Sequence, residues 1–125
     1  MTRLIVAVTT DASGDVTAYT DQQVNGEVVA IRYVPPGASP LDTGADVTIT
    51  GTDSGTPILT ITNLGTSAVS MAPRQATVTT ANAAALYAAA GTAVNDRIGI
   101  SGEKIKIVVA QGGNAMSGKF HITIG

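Results

Sequence analysis

Apolar and polar residues alternate with a period of two along almost the whole chain, the spacing of strands that bury one face. Residues 4–8 read as a first strand, Asp11-Ala12-Ser13-Gly14-Asp15 as a turn and residues 16–20 as the return, so residues 3–20 predict a hairpin. Residues 28–34 (VVAIRYV) predict a longer strand with Val29, Ile31 and Tyr33 on one face, stopped by Pro35-Pro36-Gly37, which cannot continue a ladder. Residues 46–50 put Val47 and Ile49 inward. After a loop at 51–56, residues 57–63 return with Leu59 and Ile61 toward the core. Residues 68–71 and 76–80 are weaker strands around Pro73, and residues 94–100, 104–110 and 119–124 give three more. Only residues 82–90 (NAAALYAAA), ended by Gly91, carry helical propensity. Nine residues are marginal as a free helix, so that segment needs packing.

About eight to ten short strands and one short helical segment predict an all-β fold, a β-sandwich or a jelly-roll barrel, in a single domain over residues 1–125. Composition supports this: 18 Thr, 13 Val and 11 Ile favour strands, and 14 Gly and 5 Pro supply turns. Aromatics are only 3% of residues (Tyr19, Tyr33, Tyr87 and Phe120), so the core rests on small side chains, and contacts between subunits would add burial. That motivates a homo-oligomer. No apolar run approaches the roughly 18 residues that span a bilayer, and residues 1–8 read as a strand rather than a signal peptide, so a soluble protein without membrane contact is expected.

The absence of cysteine excludes disulfides, thiolate metal sites and a cysteine nucleophile. Net charge is −2 but unevenly spread. Residues 1–53 net −5, with Arg3 and Arg32 against Asp11, Asp15, Asp21, Glu27, Asp42, Asp46 and Asp53; residues 54–125 net +3. Five bases without aromatic neighbours make a poor nucleic-acid footprint. The plainer reading is scattered solvated charge, and the sharper one is that complementary faces pair between neighbouring subunits.

Few residues suggest chemistry. Leu41-Asp42-Thr43-Gly44-Ala45-Asp46 resembles the active-site loop of retroviral-type aspartic proteases, dimers in which paired carboxylates share a proton and activate water. By that resemblance Asp42 is the catalytic acid/base. The apolar strand that leads into the family's motif is replaced here by PPGASP, and Asp-Thr-Gly is also ordinary turn chemistry. Asp53-Ser54-Gly55 reads as a second turn. Asp11, Ser13 and Asp15 offer oxygen ligands but too few carboxylates for a calcium loop. His121 stands alone, opposite in phase to Phe120, Ile122 and Ile124, which makes it a strand-surface histidine and leaves zinc chemistry and a Ser/His/acid triad unsupported. Gln111-Gly112-Gly113-Asn114 lacks the following Lys-Ser/Thr of a phosphate loop. No enzyme activity, metal or cofactor is expected.

The segments VAIRYV (29–34), DVTITG (46–51), PILTITN (57–63), AALYAAAGTAVNDRI (84–98) and EKIKIVVAQGGNAMSGKFHITIG (103–125) together resemble a group of small structural proteins of tailed-bacteriophage virions. The resemblance implies a head decoration (cement) protein: a compact β body, homotrimeric, made in the host cytoplasm and bound to the major capsid protein on the capsid surface. A tail or head–tail connector component is the next reading of the same resemblance. Expected contacts are Arg3 and Leu4 on the first strand, the loop with Pro35 and Pro36, and Arg74 and Arg97, because loops on rigid scaffolds carry function and arginine is enriched in interfaces. A glycan- or receptor-binding module is the remaining rival, with tyrosines as its only aromatic platform.

Overall fold

The computed structural model describes all 125 residues and is all-β. The strands are β1 (Thr2–Thr9), β2 (Val16–Tyr19), β3 (Val24–Val34), β4 (Asp46–Gly51), β5 (Pro57–Ile61), β6 (Val69–Met71), β7 (Gln75–Ala76), β8 (Asn95–Asp96), β9 (Ile98–Glu103), β10 (Ile105–Ala110) and β11 (Ser117–Ile124). The first sheet runs β1-β11-β3-β6, with β9 pairing the other half of β3; the second runs β2-β10-β4-β5; β7 and β8 form a separate ribbon. All strand pairs are antiparallel.

Alternation decides what is inside. Val6 and Val8 on β1, Val47 and Ile49 on β4, Ile105, Ile107 and Val109 on β10, and Phe120, Ile122 and Ile124 on β11 are buried in one core shared by both sheets. Tyr33 and Phe120 are the two core rings, 5.3 Å apart and tilted at 39°. The Tyr33 phenol oxygen accepts a hydrogen bond from Leu41 N–H at 3.3 Å, so its polar end is satisfied. Gly118 is required beside it: a Cβ there would lie 2.5 Å from Tyr33 Cε1.

Four expectations are corrected. Residues 3–20 are not a hairpin: β1 pairs with β11 along its whole length, whereas β2 pairs with β10 in the other sheet. The turn at Asp11–Asp15 therefore carries the chain across the sandwich. Val29 does not share a face with Ile31 and Tyr33. The pairing of β3 with β11 slips between Ala30↔Thr123 and Val28↔Ile124, and this bulge turns Val28 inward in its place. A second slip, between Ile49↔Leu59 and Thr50↔Pro57, makes Ile58 the most buried residue of β5, while Leu59 and Ile61 pack against the core half-buried.

Residues 82–90 are not helical. They lie in an excursion, residues 75–96, whose backbone bonds run across it: Ala85 N–H to Thr77 C=O at 3.0 Å, Val94 N–H to Ala85 C=O at 2.9 Å, Tyr87 N–H to Thr92 C=O at 3.0 Å. Asn82 and Ala90 adopt positive φ (59° and 56°), which breaks any helical run at both ends. No residue from 74 to 97 is buried. A short alanine-rich segment without a surface to pack on forgoes the helix its propensity favours.

Candidate functional site

The outer face of the first sheet gathers basic side chains that are far apart in sequence. His121 on β11 lies directly opposite Ile5 on β1 and Arg32 on β3, Thr123 opposite Arg3, and Lys119 opposite Ala7 and Val34. Cross-strand neighbours have Cβ atoms about 5 Å apart and diagonal ones about 7–8 Å, so Arg3, Arg32 and Lys119 converge on His121 around the half-exposed Ile5. Partial burial, then the positive charges of Arg3, Lys119 and Arg32, hold the His121 pKa below 6.5. Arg32 Nη1 is spent on Ser70 Oγ at 2.6 Å rather than on a carboxylate. At the end of this face the short Ala7 side chain leaves a depression of about 250 Å³, walled by Pro35, Pro36 and Lys119.

Of the residues singled out in the sequence, Arg3, Pro35 and Pro36 therefore lie on one side of the first sheet. Leu4 points the other way, half-buried against the core, and lines a smaller cavity with Gln22 and Ile124. Arg74 and Arg97 flank the base of the 75–96 excursion. Arg74 Nη1 donates to Val29 C=O (3.2 Å) and Pro73 C=O (2.7 Å), and the Arg97 guanidinium lies against Gly125. The excursion itself is an arm. From Gln75 to Asn95 it has no charged residue, yet it exposes Val78 (58%), Leu86 (39%) and Tyr87 (75%). Tyr19, the other exposed tyrosine, is on β2 of the second sheet.

The opposite character appears at the loop end that holds Asp11, Asp15, Asp42 and Asp46. Asp42 opens a turn closed by Ala45 N–H to Asp42 C=O at 3.0 Å, and its N–H donates to Gly112 C=O at 3.0 Å. Its carboxylate sits over Gly113, where a Cβ would lie 2.7 Å away. Asp42 is exposed there, a turn residue with no cleft around it. Asp11 Oδ1 accepts from Ser13 N–H (2.8 Å) and Asp15 N–H (3.0 Å), so this acid caps its own turn. Gly112 N–H donates to Gly14 C=O at 2.8 Å, which shows what the Gln111–Asn114 glycines do: without Cβ atoms they let two loops touch. No three His, Cys, Asp or Glu side chains converge as metal ligands.

One acid that sequence reasoning passed over is Glu103, buried at the end of β9. Its Oε1 accepts from Asp53 N–H (2.9 Å), Ser54 N–H (3.1 Å) and Ser54 Oγ (3.1 Å), tying the β4–β5 loop of one sheet to a strand of the other. The Ser54 backbone bond lowers its pKa most. Burial acts in the opposite sense, and the Ser54 hydroxyl and Asp53 bonds add to the lowering, for a net value below 4.5. The tripeptide Asp53-Ser54-Gly55 is thus a structural turn. The only sequence signal of Glu103 is an acid next to Lys104, too weak to locate partners 50 residues away.

No protein-family model matches the chain, and no curated protein matches it in sequence. Among solved structures, it is similar to FlhE over 97% of this chain and 94% of that one, at 12% identity and a TM-score of 0.43. It is also similar to an exo-β-1,3-galactanase of Phanerochaete chrysosporium solved with galactose, at 15% identity and a TM-score of 0.35, spanning 98% of this chain but 27% of that one. No helix is long and apolar enough to cross a membrane.

Proposed function

We infer that the chain is a non-catalytic structural component of a bacteriophage virion, a capsid decoration protein that acts as a homotrimer against the major capsid protein on the capsid surface. The observation that carries this reading is the 75–96 arm: uncharged from Gln75 to Asn95, unburied and projecting from a packed sandwich. Full burial of a large apolar side chain contributes about 1.5–3 kcal/mol. Val78, Leu86 and Tyr87 therefore give a contact that gains strength when repeated over a shell. The sequence resemblance supplies the phage context. Asp42, held in an exposed turn, lends the protease alternative nothing. The test is to mix the purified protein with empty capsids and image them. Ordered added density at three-fold positions is expected, and capsids left bare at saturating protein would reject the reading.

A further inference from the structure

The two charged surfaces have a relationship that neither shows alone. On the outer face of the first sheet, β1 and β11 contain no acid, and the one acid of β3, Glu27, lies beyond the bulge at Val29. Arg3, Arg32 and Lys119 stand there around the exposed Ile5. At the loop end, the segments 10–15, 39–46, 62–66 and 110–116 carry Asp11, Asp15, Asp42 and Asp46 and no lysine or arginine. Backbone bonds join these segments into one cap: Asp42 to Gly112, Gly112 to Gly14, Leu64 to Ala45 and Ala115 to Asp11. An apolar centre ringed by charge of one sign, facing a preformed surface of the other sign, has the makeup of a specific contact.

We propose that the basic outer face of the first sheet receives the acidic loop end of a second copy of this chain. The depression beside Pro35 and Pro36, bordered by Lys119, is the socket for a loop of that cap. The acidic segments abut Thr9 and Ser117 on the rim of that depression, so the two surfaces adjoin on one chain. Pairing either surface with itself would press like charges together, so each copy's basic face meets the other's acidic end, twice in a two-fold dimer or once per copy in a ring. The contact deepens the proposed function, resting on it only for the number of copies.

Light scattering on the purified full chain tests this. Oligomers are expected at low salt, with association weakened about tenfold or more as ionic strength rises past the point where the Debye length falls below about 5 Å. Two charge-reversed variants sharpen the result: Arg3→Glu with Lys119→Glu, and Asp15→Lys with Asp42→Lys. All four side chains are exposed and none makes a side-chain hydrogen bond that holds the fold. Each variant alone is expected to be monomeric, and an equimolar mixture to associate again in even-numbered, alternating species, because a three-membered ring of the two variants always keeps one like-charged contact. A wild-type chain that is monomeric at low salt overturns the proposal, as does an oligomer indifferent to both salt and reversal. Restored association on adding a polyanion or an acidic peptide, but not the complementary variant, assigns the face to another partner and overturns it too. If a variant misfolds by circular dichroism, the salt dependence of the wild type decides. Capsid binding by an oligomer indifferent to the reversals refutes this contact and leaves the proposed function standing; a charge-paired oligomer that ignores capsids does the reverse.

Discussion

Excising the arm separates its role from that of the body. Gln75 and Asp96 are paired across the base of the ribbon, so Ala76–Asn95 can be replaced by a two-residue Asn-Gly turn. Loop closure costs about 0.6 kcal/mol per doubling of length, so shortening this 20-residue excursion to two residues relieves about 2 kcal/mol at most. Little is lost against that gain. None of the removed residues belongs to the core cluster, and the Arg74 contacts to Val29 and Pro73 remain. Stability should therefore be unchanged or rise by up to about 2 kcal/mol, which in urea moves the midpoint upward by about 2 M or less. Capsid binding, measured by co-sedimentation of the same variant, should be lost. A midpoint that falls by more than about 0.5 M would refute the claim that the arm projects free of the body. Undiminished capsid binding would refute its role as the contact.

Other outcomes follow from the interior and from the titrating groups. Phe120→Ala removes one of the two core rings and should cost about 3–5 kcal/mol in a urea melt, a large part of the roughly 5–15 kcal/mol typical of a domain; a loss under about 1 kcal/mol would contradict the ring pair's place in the core. Glu103 titrates below 4.5 in the folded chain, so its contribution is present above that pH and is lost as pH falls through the folded value. Glu103→Gln should lower the melting temperature at pH 7, with the gap to wild type closing in acid; a gap independent of pH would contradict the charge-assisted cap. His121 likewise has a folded pKa below 6.5, so its contribution is complete above pH 6.5 and declines as pH falls through the folded value. Arg3→Gln should raise the His121 pKa in an NMR titration, and an unchanged value would show that the guanidinium does not act on the ring.

The alternation of apolar residues fixed a great deal in advance. Val47 and Ile49, Ile105, Ile107 and Val109, and Phe120, Ile122 and Ile124 face inward, and His121 faces outward, because a strand's two faces are read from adjacent residues and burial follows whichever face is apolar. Pro35-Pro36 ended β3 for an equally local reason. The tertiary structure decided what depends on partners distant in sequence. β1 pairs not with its neighbour β2 but with β11 at the other end of the chain, and two bulges shift the inward face to Val28 and Ile58. Residues 82–90 stay non-helical because no surface covers them, which propensity cannot register. Arg3, Arg32 and Lys119 look like scattered charge until three strands are laid side by side around His121. Glu103 looks like an ordinary surface acid until the loop at Asp53 and Ser54 closes over it. Periodicity belongs to neighbours along the chain, whereas pairing, register and charge clustering belong to neighbours in space.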